Sequence, residues 1–170
     1  QEPPCVPGRG TLRLQAHPEG GYFREIYRSE EAVPAEALPE RYGGFRAYAT
    51  SILFLITAES FSALHRLNSD EIYHFYLGGP VDLSILHPDG RAETARLGHD
   101  VLRGERVQLV VPRGAWQGSR LAGDAPFALL GCTVAPGFDF DDFEMADRNA
   151  LIARHPGHAA LIRSLTHAGS

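Results

Sequence analysis

Ionisable side chains are densest between Ser62 and Gly78, where they stand among apolar residues typical of a strand. Within this segment, His65 and Glu71 have the residue types that proton transfer requires. An imidazole has a pKa near neutrality, and a neighbouring carboxylate can orient the ring or raise its basicity. We therefore expect His65 and Glu71 to be the catalytic residues of any reaction that this chain performs.

The residues that follow Glu71 alternate between the two faces of a predicted strand. Side chains two residues apart lie on the same face, and side chains three residues apart lie on opposite faces. Tyr73 should therefore share the side of Glu71 and narrow a cavity there as a binding residue. His74 should point away from it, as a partly buried histidine bonded to a neighbour, unless a bulge reverses the alternation.

The elements that must position these residues are short β-rich runs separated by turn sequences at residues 78–80, 88–90 and 112–114. Such turns favour antiparallel pairing of consecutive strands. An all-β domain of this size commonly protects its sheet edges by closing into a barrel or jelly roll, which also supplies a pocket. The predicted strands are Tyr22–Tyr27, Ala47–Ile56, Glu71–Leu77, Val81–Leu86, Val107–Val111 and Phe127–Val134.

Helical signals occur only near the C-terminus of the chain. Asp147 is placed to cap a helix that runs to about Arg154, and Pro156 is placed to begin a second short helix. We expect both helices to lie against the outside of the sheet. With 170 residues and no internal linker, the chain is predicted to form a single domain over residues 17–166, preceded by an N-terminal tail at residues 1–16.

Composition limits the partners and the cellular location that we expect. Lys and Arg number 16 against 21 acidic residues, so no basic field attracts nucleic acid. The apolar runs are far shorter than the roughly 20 residues that cross a bilayer, and the N-terminus lacks the pattern of a secretory signal. Two cysteines, Cys5 and Cys132, are too few for a disulfide scaffold. Together these features predict a cytoplasmic protein that binds neither nucleic acid nor membrane.

Two segments of the chain resemble the conserved motifs of the cupin superfamily. His65 and Glu71 precede a strand that ends at Gly78, as in the first cupin motif, and the turn PRGAWQ at residues 112–117 resembles the second. More narrowly, the chain resembles the DUF985 group of cupins from residue 17 to about residue 145. This closer resemblance is carried by HPEGGYFRE at residues 17–25, HR at 65–66 with SDE at 69–71, VP at 111–112 with WQ at 116–117, and VAPGF at 134–138. The resemblance implies a cupin-type antiparallel β-barrel or jelly roll.

In metal-binding cupins, two histidines, a glutamate and a later histidine converge on one divalent ion. The resemblance places these four ligand positions on His65, Leu67, Glu71 and Gln117. Leucine offers no lone pair, and a neutral amide is a much weaker ligand than imidazole. We therefore expect no cofactor and no metal site, with a weakly held divalent metal as the alternative, and we expect Gln117 to be a ligand-binding residue.

Cupin-fold deoxysugar-nucleotide 3,5-epimerases offer a more distant resemblance. In those enzymes a strand histidine removes a proton next to a carbonyl group, and His65 occupies the matching position. By the same analogy Arg24 is a binding residue that grips a carboxylate or phosphate with its bidentate fork, or else pairs with a neighbouring Glu on the surface.

Three functions follow from these resemblances. The first is a small-molecule-binding cupin that acts as a metal-independent isomerase or epimerase on a sugar-like or carbonyl metabolite. The second is a non-catalytic ligand-binding or structural cupin, and the third is a metal-dependent cupin enzyme with a reduced ligand set. We also expect a homodimer, because such cupins usually pair through sheet edges or faces and because Trp116 and Tyr76 are predicted to face away from the cavity.

Overall fold

Two antiparallel sheets face each other across an apolar interior in the computed structural model, which describes residues 10–169. The strands are, in chain order, β1 (Gln15–Ala16), β2 (Tyr22–Arg28), β3 (Ala32–Val33), β4 (Arg46–Ala47), β5 (Thr50–Thr57), β6 (Ser62–Arg66), β7 (Asp70–Gly78), β8 (Val81–Leu86), β9 (Ala92–Leu97), β10 (Gln108–Val111), β11 (Trp116–Leu121), β12 (Phe127–Ala135) and β13 (Glu144–Met145).

The first sheet has the strand order β1-β2-β5-β12-β7-β10, and the second has the order β13-β6-β11-β8-β9. A small ribbon of β3 and β4 lies beside them. Neighbouring strands in all three sheets are antiparallel. This arrangement confirms the expected all-β fold with antiparallel pairing.

All six predicted strands are present, with ends that coincide with the prediction or differ from it by at most three residues. Among the further strands, the three that are longer than two residues, β6, β9 and β11, were not among the predictions. Strand β9 has the sequence AETARL, which is largely exposed. It has one β-branched residue, Thr94, and no aromatic residue, so the signal on which the predictions relied is weak. Strand β11 contains a glycine and an arginine, which weaken the same signal.

The interior between the sheets is filled by side chains that alternate inward from both of them. Its members include Phe54 and Ile56 on β5, Leu83 and Ile85 on β8, and Leu130 on β12, each almost completely buried. Burial of this apolar surface is the main force that holds the two sheets face to face. It also fixes the register, because a slip of one residue would turn each strand's apolar side chains to the other face.

The C-terminal helices form where the sequence predicts them. Asp147 caps helix α1 (Arg148–Arg154) by accepting a hydrogen bond from the Ala150 N–H at 2.8 Å, as N-cap aspartates do. Pro156 begins a short 3₁₀ turn that leads into α2 (Ala159–Ser164). Both helices pack on the second sheet, where Trp116 lies in the same apolar cluster. No helix of residues 10–169 has the length and apolar character needed to span a membrane.

The N-terminal tail expected at residues 1–16 is described only in part. Residues 1–9, which include Cys5, lie outside the described residues. In the remainder, Leu14 is buried in a small apolar cluster, and β1 pairs with β2.

Candidate functional site

A cavity of about 290 Å³ lies between strands of both sheets and the segment 138–143. Glu19, His65 and Glu71 line it, and each is at most 7% exposed. Two of the three, His65 and Glu71, are the residues that the sequence predicts as catalytic. The third, Glu19, was not assigned a role, although it lies in a segment that carries the family resemblance.

His65 is held by hydrogen bonds at both ring nitrogens. Its Nε2 lies 2.9 Å from a carboxylate oxygen of Glu19, and its Nδ1 lies 2.8 Å from the Ala63 carbonyl oxygen, to which it donates. The ring of Phe143 stacks on the imidazole, with centroids 5.4 Å apart. The Phe143 ring and the Glu19 carboxylate both favour the charged imidazolium, since an aromatic face attracts a cation and a carboxylate pairs with one.

Burial acts to lower the pKa of His65, but the charge and hydrogen bond of Glu19, together with the charge of Glu71, outweigh it and raise the pKa to about 9. Burial acts in the opposite sense on Glu19, yet the charge of His65 and the hydrogen bond to it hold the pKa of Glu19 below its usual value. At neutral pH the two residues therefore form a buried ion pair. This arrangement differs from the hypothesis that Glu71 is the carboxylate that orients His65.

A tight turn at residues 17–21 brings Glu19 to His65. Gly20 and Gly21 both have positive φ angles, +109° and +73°, which favour glycine. A Cβ on Gly20 would lie 2.0 Å from the Phe61 carbonyl oxygen, so no other residue fits this approach. The turn is tied to β6 by a hydrogen bond from the Ala63 N–H to the Glu19 carbonyl oxygen. The glycine pair next to a carboxylate is the signal from which Glu19 could have been predicted.

Glu71 has a different environment from Glu19. Burial raises its pKa to about 7, against the charge of His65, which acts to lower it; the charge of Glu19 adds to the rise. Its Oε1 atom is buried with no hydrogen-bond partner among the described residues. An unpaired carboxyl oxygen with a pKa near neutrality has the properties of a general acid or base.

Tyr73 and Gln117 lie together beside Glu71, but neither is among the residues that line the cavity, so their expected role in binding a ligand stays a prediction. The Tyr73 hydroxyl donates a hydrogen bond to the Gln117 side-chain oxygen, and both side chains act to lower the pKa of Glu71. Gln117 is also the direct cross-strand partner of His65 between β11 and β6. The two motifs therefore meet at one place, as we expect for neighbouring strands of a cupin.

Arg24 lies away from the cavity, so its expected role in gripping a ligand there requires correction. The cavity is lined by Phe23 and Glu25 of the same strand, and alternation turns Arg24 to the opposite, exposed face, where it lies 3.5 Å from the Leu12 carbonyl oxygen. A bulge between Glu25 and Tyr27 then shifts the alternation, and Arg28 lines the cavity instead. Its guanidinium donates two hydrogen bonds of 2.8 Å to Glu25.

His74 and Trp116 both lie outside the cavity. The His74 ring is hydrogen-bonded to Thr133 and to Gln108, each at 3.2 Å, which agrees with the outward orientation that alternation predicts. Trp116 does face away from the cavity, but it packs beneath the C-terminal helices and is not available at a surface. Tyr76 is 46% exposed.

The segment 138–143 forms the mouth of the cavity. Phe138, Phe140 and Phe143 have ring centroids 4.9 to 6.2 Å apart and interplanar angles of 64° to 85°. Phe140 is 53% exposed and Asp139 lies between the first two rings in the chain. From the sequence, the acidic run at residues 139–142 is more typical of a solvated loop than of a pocket lid, so the pattern favours the wrong one of these two alternatives.

The four positions that the cupin resemblance assigns to a metal do not fit a divalent ion here. Leu67 is buried in the cavity wall and has no donor atom. Both nitrogens of His65 are engaged, and the Gln117 oxygen accepts from Tyr73. Metal ligation requires a free imidazole lone pair, whereas both nitrogens of this ring are hydrogen-bonded to protein oxygen atoms. No cluster of three or more metal-ligating side chains occurs within residues 10–169.

Two facing antiparallel sheets with a pocket between them define a cupin-type barrel. Oxalate decarboxylase from Bacillus subtilis shares this fold, with a TM-score of 0.53 over 89% of this chain and 36% of that chain, at 16% identity. The chain belongs to the DUF985 family of the cupin superfamily, which matches residues 10–146.

Other similar proteins cover three quarters or more of the chain. A hypothetical protein from Leishmania major is 36% identical, with a TM-score of 0.87 over 94% of this chain and 97% of that one. A protein from Shewanella oneidensis is 39% identical, with a TM-score of 0.85 over 96% and 97%. An uncharacterised protein from Saccharomyces cerevisiae is 33% identical over 138 residues, which is 76% of this chain and 69% of that protein.

Proposed function

We propose that this chain is a metal-independent isomerase that moves a proton next to the carbonyl group of a small sugar-like or carbonyl metabolite. The observation that carries the proposal is Glu71, a buried cavity carboxyl with an unpartnered oxygen and a pKa of about 7. A general base is most effective when its pKa lies near the working pH. At about 290 Å³, the cavity is at the small end of ligand pockets, which suits a compact metabolite.

The catalytic roles differ from those expected from the sequence. His65 has no free nitrogen with which to remove a proton, because Glu19 and Ala63 engage both of them. We assign the proton transfer to Glu71 and give His65 an electrostatic role. Its fixed positive charge would stabilise the negative charge that develops on the carbonyl oxygen as the proton leaves.

A single proton carrier suits an isomerase better than an epimerase. Isomerisation needs one group that removes a proton from one carbon and returns it to the neighbouring carbon on the same side. Epimerisation needs proton delivery from the opposite face of the substrate, and hence a second carrier. The Tyr73 hydroxyl donates a hydrogen bond to Gln117, and burial raises its pKa well above the usual value. His17 also lines the cavity, but its Nδ1 accepts a hydrogen bond from the Glu19 N–H and burial lowers its pKa, so its neutral ring has no free lone pair and is a weak acid.

A second candidate function is a ligand-binding cupin without chemistry. It is favoured by the full hydrogen bonding of His65, which a histidine in a purely structural role would also show. The two candidates differ in whether Glu71 exchanges a proton with a bound carbonyl compound.

We expect the protein in D₂O to introduce deuterium next to the carbonyl of at least one member of a panel of small aldoses, ketoses and their amino-substituted derivatives. Glu71→Gln should slow this exchange by about 10²-fold, because a general base contributes roughly 10²- to 10⁴-fold. Proton NMR of the substrate measures the exchange, and Glu59→Gln, on an exposed turn, is the control. Binding of a panel member without exchange would instead support the non-catalytic function.

We also infer a homodimer through the outer face of the first sheet. Tyr76 on β7 and Val110 on β10 are about half exposed, and Val110 pairs with Ile72 on this face. Exposed apolar side chains on neighbouring strands are typical of an interface. Light scattering at micromolar concentration should therefore give about twice the 18.6 kDa of one chain. A Tyr76→Glu, Val110→Glu variant should give the monomer mass, and a monomeric unmodified protein would contradict the inference.

A further inference from the structure

The charged side chains of the cavity are paired in a way that disfavours an anionic ligand. Three basic side chains line it, those of His17, Arg28 and His65. Burial lowers the pKa of His17, so the cations are His65 and Arg28. His65 is bonded to Glu19 at 2.9 Å, and Arg28 is bonded to Glu25 and to the Phe138 carbonyl oxygen. A carboxylate or phosphate entering the cavity would have to displace one of these carboxylates from its partner.

Negative charge, in contrast, is left over in the cavity. Asp139 also lines the wall, so three carboxylates, those of Glu19, Glu25 and Asp139, face the two cations even while Glu71 is protonated. The nearest cation to Asp139 is Arg46, at 3.9 Å, and two nitrogens of Arg46 already bond to Asp142 at 2.8 and 2.9 Å. This neighbouring pair of Arg46 and Asp142 adds no net charge.

Aromatic rings surround the same opening. Phe138, Phe140 and Phe143 stand at steep angles to one another, and Phe23 reaches the cavity from β2. The face of an aromatic ring is the negative part of its quadrupole and attracts cations, most strongly where water is excluded. Phe143 already stacks on the His65 imidazole, so one ring of this wall contacts a cation within the protein itself.

We propose that the cavity takes a small organic cation, a substituted ammonium group, held between the aromatic mouth and the carboxylates of Asp139 and Glu71. The unpartnered Oε1 of buried Glu71 is the second, deeper acceptor for such a ligand. The proposal deepens the proposed function, because it assigns the substrate a positive charge besides its carbonyl group. It rests on that function only for the carbonyl group; the binding of the cation can be measured without turnover.

The test compares three probes of similar shape and different charge by NMR titration: choline, its uncharged analogue 3,3-dimethylbutan-1-ol, and the anion 3,3-dimethylbutanoate. We expect choline to bind about tenfold more tightly than the alcohol, a difference within the range of a partly desolvated cation on aromatic rings. The anion should bind more weakly than the alcohol. Equal binding of all three, binding of none, or a preference for the anion would overturn the proposal.

Two substitutions separate the aromatic and charged contributions. Phe140→Leu keeps an apolar side chain at a half-exposed position and should weaken choline about fivefold while leaving the alcohol unchanged. Asp139→Asn keeps the side-chain oxygen that accepts from the Asp141 N–H and removes only the charge, so it too should weaken choline selectively. Glu93→Gln, at an exposed ion pair with Arg91 outside the cavity, is the matched control for a lost negative charge. Loss of choline binding in the control to the same degree would also overturn the proposal.

The outcome is distinguishable from that of the isomerase proposal. Choline preference without deuterium exchange on any carbonyl compound would support the cation site and contradict the isomerase. Exchange on neutral or anionic carbonyl compounds, without a preference for choline, would support the isomerase and contradict the cation site.

Discussion

Replacing His65 with leucine is expected to lower the free energy of unfolding by roughly 3–5 kcal/mol at pH 7, the cost of breaking a buried ion pair. The loss arises because Glu19, only 7% exposed, would keep a carboxylate with no cation beside it. A double variant, His65→Leu with Glu19→Gln, should recover most of the loss, since the amide carries no charge. Urea unfolding of the single and double variants measures both quantities.

The effect of His65→Leu should also depend on pH. The folded-state pKa of His65, about 9, is above its unfolded value of 6.5, so the stability it contributes is complete below pH 6.5 and is lost as the pH rises through 9. The pKa of Glu19 is lowered from 4.5, so its contribution is present above pH 4.5 and is lost in acid. The deficit of the variant should therefore be largest between about pH 5 and pH 8 and smaller on either side.

The histidine on the outer face provides a control for this experiment. His74 makes two side-chain hydrogen bonds to uncharged partners, so His74→Leu should cost only about 1 kcal/mol. Its effect should not be recovered by Glu19→Gln. Equal losses in the single His65→Leu variant and in the double variant would mean that the pair is not ionised in the folded protein.

Much of the fold could be predicted from the sequence, because apolar alternation and turn residues are local signals. The strands β7, β8 and β12 follow from such patterns, and so do the shared face of Glu71 and Tyr73 and the outward direction of His74. The proximity of Gln117 to His65 could be predicted only from the family resemblance, since these residues lie on strands far apart in the chain.

The remainder of the site depends on long-range geometry that no local pattern contains. Glu19 reaches His65 only because the turn at Gly20 passes within contact distance of the chain at Phe61. Arg28 replaces Arg24 in the cavity because a bulge interrupts the alternation of β2. The aromatic mouth at residues 138–143 forms because the buried ion pair of Arg46 and Asp142 ties this segment to β4.

Glu71→Gln is expected to stabilise the protein, and the gain should grow with pH. The folded-state pKa of Glu71 is about 7, against 4.5 for an ordinary glutamate, so the unfolded state loses its proton first as the pH rises. The resulting loss in the free energy of unfolding is absent below about pH 4.5 and increases between pH 4.5 and 7. It levels off above pH 7 at about 3 kcal/mol. The neutral amide carries no such penalty, so the variant should gain up to that amount at pH 8 relative to pH 4.5.

Urea unfolding measures this gain when the Glu71→Gln variant and the unmodified protein are compared from pH 4.5 to 8.5. The control is Glu59→Gln, at an exposed turn, for which we expect no comparable gain. A difference that does not change with pH would mean that the pKa of Glu71 is not raised in the folded protein. The same pKa should govern the deuterium exchange, whose rate should rise through about pH 7 as Glu71 becomes a carboxylate able to accept a proton. Agreement between the two inflections would identify one group as both the source of instability and the carrier of the proton, as expected where a site residue is held at the expense of stability.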